Sequence, residues 1–327
     1  MRPVADMHCD TISALLSLRR SGTDASGTKA AADLRHNRLH IDLEKLKKGG
    51  YLLQNFALFV SLADCEDPFR ECAALADLYY EELERNQDLI RPVLTWTDLE
   101  KNRAEGKLSA MLTVEEGAVC KGSTGKLRHL YRLGVRMLTL TWNYPNELGW
   151  PNVKMPPEGS EEAPDFTVPD REHGLTETGF AFLSEMERLG MIVDVSHLSD
   201  AGFWDVARAA EKPFVASHSN ARAVCPHVRN LNDEMIRALA EKGGVTGLNF
   251  CPSFLETERA GSEARGSLAA IAAHARHIVD AGGEDCLGLG SDFDGIPTNE
   301  ALPDASFLPA LADALTVDKL YLLHYFA

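Results

Sequence analysis

Eight short apolar runs, each separated from the next by longer polar or helix-patterned sequence, constrain this chain most. They are VADMH (4–8), QNFALFVSL (54–62), SAMLTVE (109–115), RMLTLTW (136–142), MIVDVSH (191–197), PFVASH (213–218), VTGLNF (245–250) and CLGLGSDF (286–293). Near-continuous apolar runs of this length suit parallel strands buried on both faces. Residues 67–86, 124–134, 176–190, 199–210, 232–243 and 267–283 repeat apolar residues at helical spacing, and several end in Gly, a common helix stop. Asp200, Asn232 and Ser267 stand where N-caps are expected. The alternation predicts a (β/α)8 barrel, read as one catalytic domain over residues 1–327. An open doubly wound sheet is the alternative, but no G-x-G-x-x-G follows the first run. The Pro-, Gly- and acid-rich segment 143–174 is too long for a routine connection and is expected to cover a site.

Charge narrows the function classes. The formal net charge of −16 argues against binding the phosphate backbone of nucleic acid or an anionic membrane surface. No apolar run is long enough for a transmembrane helix, and the start MRPVADMHCD lacks the apolar core of a signal peptide. Seven cysteines, an odd count with no C-x-x-C pair, point to reduced thiols and a cytoplasmic setting.

Polar residues collect at the ends of the predicted strands, where barrel enzymes build their active sites. His8 and Asp10 end the first run and lie two apart, so a strand points both to one face. Glu115 and Glu116 end the third, His197 the fifth, His218 the sixth and Asp292 the eighth. Taken singly, each has a plain structural explanation: a core histidine, a helix-terminal charge, a turn. Together they form a donor set of imidazoles and carboxylates without thiolate. That set suits zinc or a similar divalent ion, and a shared carboxylate can bridge two ions. Asp194 is expected to orient a loop, and Cys9 to be a packed thiol. Arg222 and Arg229 follow the sixth run; one or both are expected to face the opening, where an arginine fork binds a carboxylate. Otherwise they are surface arginines pairing with Asp233 or Glu234. His227 reads as a surface residue without a role.

With these motifs assembled, the chain resembles the membrane dipeptidase (renal dipeptidase) family of zinc dipeptidases, in a bacterial-type form. The carriers are DMHCD (6–10), VEEG (114–117), LGVRMLTLTWN (133–143), DVSH (194–197), SHSNARAVCPHVRNLNDEMI (217–236) and GSDFDG (290–295). The resemblance implies a (β/α)8 barrel with two Zn2+ ions and hydrolysis of dipeptides, some with a D-residue at the C-terminal position. It implies His8 and Asp10 on one ion, Glu115 bridging, and His197 with His218 on the other, the Glu115-Glu116 doublet leaving the register open. It implies Arg229 as the substrate-binding arginine, Asp292 as the acidic residue that handles the substrate amine or a proton, and a homodimer.

Two departures stand out. Some relatives carry a substrate-binding histidine directly after LTLT; here Trp142 and Asn143 follow, and Asn143 becomes the candidate substrate contact. The ending LTVDKLYLLHYFA is shorter than the family's closing helix. The alternatives are another amidohydrolase-type metal hydrolase, against which the His-x-Asp in place of His-x-His argues, and a non-catalytic, metal-stabilised binding protein.

Overall fold

The computed structural model describes residues 3–22, 32–154, 156, 164–257 and 264–317. Nine strands form one parallel sheet: β1 (Val4–Asp6), β2 (Tyr51–Phe59), β3 (Ile90–Pro92), β4 (Leu108–Glu115), β5 (Val135–Thr139), β6 (Ile192–Asp194), β7 (Val215–Ala216), β8 (Val245–Leu248) and β9 (Leu287–Leu289). The order is β1-β2-β4-β5-β6-β7-β8-β9, with β3 set beside β4. The ends meet: Met7 N donates to Leu289 O at 2.8 Å, Asp292 N to His8 O at 3.2 Å and Asp10 N to Phe293 O at 2.9 Å. The sheet is therefore a nearly closed eight-strand barrel with helices between its strands, as the alternating pattern predicts.

All eight predicted strands are present, and β3 is an addition. It pairs Ile90–Pro92 with Leu108–Ala110, on the flank that β5 takes over from Leu112 onward. Its Pro92 has no N–H to continue a ladder. β2 sits three residues earlier than its apolar run suggests, at 51–59. The six predicted helices form at Pro68–Arg85, Thr124–Leu133, Glu177–Leu189, Asp200–Ala209, Asp233–Glu241 and Leu268–Gly282. Asn232 and Ser267 cap as expected, accepting from Met235 N and Ala270 N. Asp200 does not: Ser199 caps that helix by accepting from Gly202 N, and the Asp200 carboxylate is free for other work. Of the segment 143–174, residues 155 and 157–163 lie outside the described residues, as does the chain end from 318. No helix among the described residues is long and apolar enough to cross a membrane. All seven cysteines are thiols; Cys9 is fully buried, its Sγ donating to Asn55 O.

Candidate metal centre

Several strands break off just before their functional residue. β6 stops at Asp194, and His197 has a φ of 70°; β9 stops at Leu289, and Asp292 has a φ of 61°. Glu116, directly after β4, has a φ of 90°. Non-glycine residues rarely hold such values unless their surroundings impose them, and they concentrate at functional sites. Here the break turns side chains from the sheet surface into the barrel mouth.

The five candidate ligands converge there. Glu115 lies at the centre: His8 Nε2 is 3.3 Å from its Oε2, and His197 Nε2 and His218 Nε2 are 3.0 and 3.5 Å from its Oε1. His8 Nε2 also lies 3.6 Å from Asp10 Oδ2 and 3.9 Å from Asp292 Oδ1. The His8 and His218 rings stack with centroids 3.9 Å apart. Two overlapping groups, His8-Glu115-His218 and His8-Asp10-Asp292, bring their ligand atoms close enough to share an ion. Glu115 faces this centre and Glu116 does not. Glu116 accepts from Ala118 N, Trp142 N and Asn146 Nδ2 and so fastens the loop after β5.

The hydrogen bonds behind the histidines set which nitrogen faces inward. Asp194 Oδ2 accepts from Ser217 Oγ at 2.5 Å and from Thr139 Oγ1 at 2.7 Å; its Oδ1 accepts from Ser196 N and Ser217 N. The Ser217 proton is thus committed to Asp194. Ser217 Oγ, 2.7 Å from His218 Nδ1, must accept, so Nδ1 carries the proton and Nε2 presents a lone pair. Asn143 Oδ1 does the same for His197 Nδ1 at 2.9 Å. The two Nε2 atoms stand 2.9 Å apart, beside Glu115. Lone pairs and a carboxylate thus face one another, an arrangement that calls for a cation. His8 Nε2 and Asp10 Oδ1 are buried with no hydrogen-bond partner. The donor set fits divalent ions.

Electrostatics point the same way. Burial opposes charge on His8, but Glu115 and Asp10 outweigh it and hold its pKa well above the usual imidazole value. Burial pushes Asp10 up to about 6, with Glu115 adding. Burial likewise lifts Asp292 to about 7, offset in part by His8 and reinforced by Asp10 and Glu115. Burial also opposes ionisation of Glu115, yet His8 and His197 hold its pKa below the ordinary value. Burial, with Arg229 adding, lowers His197 to about 4, and burial takes His218 well below its usual value. A cation would displace the His8 proton and let the carboxylates ionise together.

Around the centre, Asp292 Oδ2 accepts from Asn249 Nδ2 at 2.8 Å. Gly295 packs so closely that a Cβ there would lie 2.0 Å from Asp10 Oδ2 and 2.7 Å from Asp292 Oδ1. Arg229 is buried; among the described residues its guanidinium makes two long bonds, to Ser219 Oγ and His218 O at 3.5 Å, and its Nε has no partner. Arg222 pairs bidentately with Asp200, at 2.8 Å on both oxygens, rather than with Asp233 or Glu234. His227 is half-buried and stacked on Phe166, not a surface residue. Trp142 packs against Phe59 and Tyr144, its ring 6.2 Å from that of His197. Sequence reasoning missed Ser217, Asn249 and Asn152. Asn249 was within reach, since it directly follows β8 at the mouth end; Ser217 directly precedes a candidate ligand.

This fold and this cluster define a metal-assisted hydrolase on a (β/α)8 barrel. The family model for the membrane dipeptidases, peptidase family M19, matches residues 1–321, and the chain belongs to that family. By that membership it is a peptide hydrolase, a dipeptidase of the metallopeptidase class. Over 242 residues it is 38% identical to an uncharacterized protein in the pqqA 5′ region of Klebsiella pneumoniae, which covers 71% of this chain and 84% of that protein. It is 31% identical over 292 residues to the dipeptidase aclJ of Aspergillus oryzae, covering 86% of this chain and 65% of that one. Its fold is similar to that of a Rhodobacter sphaeroides metallopeptidase solved with a phosphinate mimic of the dipeptide L-Ala-D-Ala. The TM-score is 0.81 at 28% identity, over 97% of this chain and 93% of the other.

Proposed function

We propose that this chain cleaves dipeptides, including L-Xaa-D-Xaa, with two zinc ions: His8 and Asp10 holding one, His197 and His218 the other, and Glu115 both. The observation that carries this reading is the convergence of three imidazoles on Glu115, two with lone pairs fixed inward by Asn143 and Ser217. When bound, such a pair supplies Lewis-acid activation of water and of the scissile carbonyl at neutral pH.

The chain's own residues do the rest. Arg229 receives the C-terminal carboxylate. Among the described residues its buried guanidinium makes two long hydrogen bonds and lies over the Phe254 ring, with no carboxylate within ion-pair distance, and an arginine fork matches a carboxylate. Asp292 handles the proton that the leaving amine needs. Its carboxyl is held by Asn249 and lies 3.9 Å from His8 Nε2, at the edge of the centre where the leaving amine would form. Asn143 orients His197 through its Oδ1 and stands beside the centre as a candidate substrate contact. Trp142 and Phe59, half-buried at the mouth, border the substrate space. The seven free thiols support a cytoplasmic protein. The homodimer implied by the family resemblance remains part of the proposal and is read out by sedimentation.

The test is a panel of L-L and L-D dipeptides given to chelator-treated protein, with and without restored zinc. Zinc-restored cleavage of both sets is expected. No cleavage with both sites refilled would overturn the reading in favour of another amide substrate or a binding role.

A further inference from the structure

We infer that Arg222, Asp200 and Asn152 form the frame that positions Arg229 for the substrate's carboxylate; this rests on the reading of Arg229 above. Arg229 itself is held weakly. The backbone carbonyls of the two residues next to it in the chain are held firmly. On the preceding side, Val228 O accepts from Asn152 Nδ2 at 2.8 Å and from Arg222 Nη2 at 3.2 Å. On the following side, Asn230 O accepts from Arg222 Nε at 2.8 Å. One guanidinium therefore grips both carbonyls that flank Arg229.

That guanidinium is fixed in turn. Both Asp200 oxygens take its Nη atoms at 2.8 Å, and Asp200 Oδ1 also accepts from Asn152 Nδ2 at 2.8 Å. Asn152 is buried and carries the frame into the segment after β5. Its Oδ1 accepts from Asp170 N, and its backbone N donates to His197 O at 2.7 Å. Val228 N donates to Phe166 O at 2.7 Å, a second tie to the same segment. Asp200 is available for this because Ser199 does the helix capping. Asn152, Phe166 and Asp170 thus tie the segment after β5 to the backbone beside Arg229. Arg222 is a positioning residue: four of its five N–H donors go to protein acceptors, in a geometry that a lysine, with a point charge and no fork, cannot reproduce.

Displacement of a binding group by about an ångström can cost on the order of a hundredfold in efficiency. Arg222→Lys and Asn152→Ala are each expected to raise KM for a dipeptide by about tenfold or more, with kcat changed by less than about threefold and zinc content unchanged. Cleavage of the corresponding dipeptide amide, which lacks the carboxylate, should change little. Arg229→Ala is measured alongside, and the double variant with Arg222→Lys should be no worse than Arg229→Ala alone, because the frame acts through that side chain. If Arg229→Ala treats dipeptide and amide alike, the carboxylate reading of Arg229 fails. If Arg229→Ala separates them but Arg222→Lys and Asn152→Ala do not, the frame is overturned. Additive losses in the double variant would also overturn it. Asn152→Ala keeps the Arg222-Asp200 pair and serves if the arginine variant does not fold.

Discussion

Replacing Ser217 by Ala should weaken metal binding without touching any candidate ligand. The substitution removes an oxygen that donates to Asp194 and stands 2.7 Å from His218 Nδ1. Asp194 retains three donors: Thr139 Oγ1, Ser196 N and Ser217 N. His218 Nδ1–H is left buried without an acceptor, a penalty of about 1–3 kcal/mol. The ring can escape that penalty by moving its proton to Nε2, which in the metal-free protein finds acceptors in Glu115 and the His197 lone pair. The same proton then occupies the atom that must bind metal. Loss of an outer partner of this kind typically costs about 10–100-fold in metal affinity, or about 1.4–2.7 kcal/mol. Competition against a chromophoric chelator measures the dissociation constant, and urea unfolding of the metal-free form measures the stability change separately. Asn143→Ala performs the same operation on His197 and should weaken metal binding in the same way. Metal affinity within about twofold of wild type for both variants would refute the tautomer argument.

Asp292→Asn should lower kcat by about 10²–10⁴-fold with both metals retained, as expected for loss of a proton-handling group, and metal analysis beside steady-state kinetics checks this. The same variant should also change the pH dependence of stability in the metal-free protein. Burial raises Asp292 to about 7, so its contribution is most favourable below the ordinary carboxylate pKa and is lost as pH rises through about 7. Urea unfolding of chelated protein should therefore find Asp292→Asn gaining on wild type between pH 5 and about 8, and a constant gap across that range would contradict the assignment.

The fold was legible because a parallel barrel repeats one local pattern, an apolar run followed by an amphipathic helix, and each repeat can be read by itself. β3 escaped because Ile90–Pro92 is three residues long and carries no such pattern. The candidate ligands were legible for a related reason. Topology sends every strand's C-terminal end to one mouth, so position along a run stands in for position in space. This also explains why the Glu115-Glu116 register stayed open. Successive residues on a strand alternate faces, and only the pairing of Phe59 with Glu115 and of Glu115 with Thr139 places Glu115 within the ladder, before the turn at Glu116.

What the sequence could not show is the layer behind the ligands. Asn152 lies 48 residues from Asp200 and 76 from Val228, and it meets both through one side-chain amide. Asp194 stands near His197 in sequence but works on His218 through Ser217, 23 residues away. No local spacing encodes such pairs; they exist only once distant parts of the chain have packed together. Arg222 illustrates the consequence. By composition and by position it was as good a substrate ligand as Arg229, since both follow β7 and both carry the fork. Their partners separate them. Among the described residues Arg222 spends four of its five N–H donors on both Asp200 oxygens and two backbone carbonyls, whereas buried Arg229 makes two long bonds and leaves its Nε without a partner, so Arg229 is the one that an anion would complete.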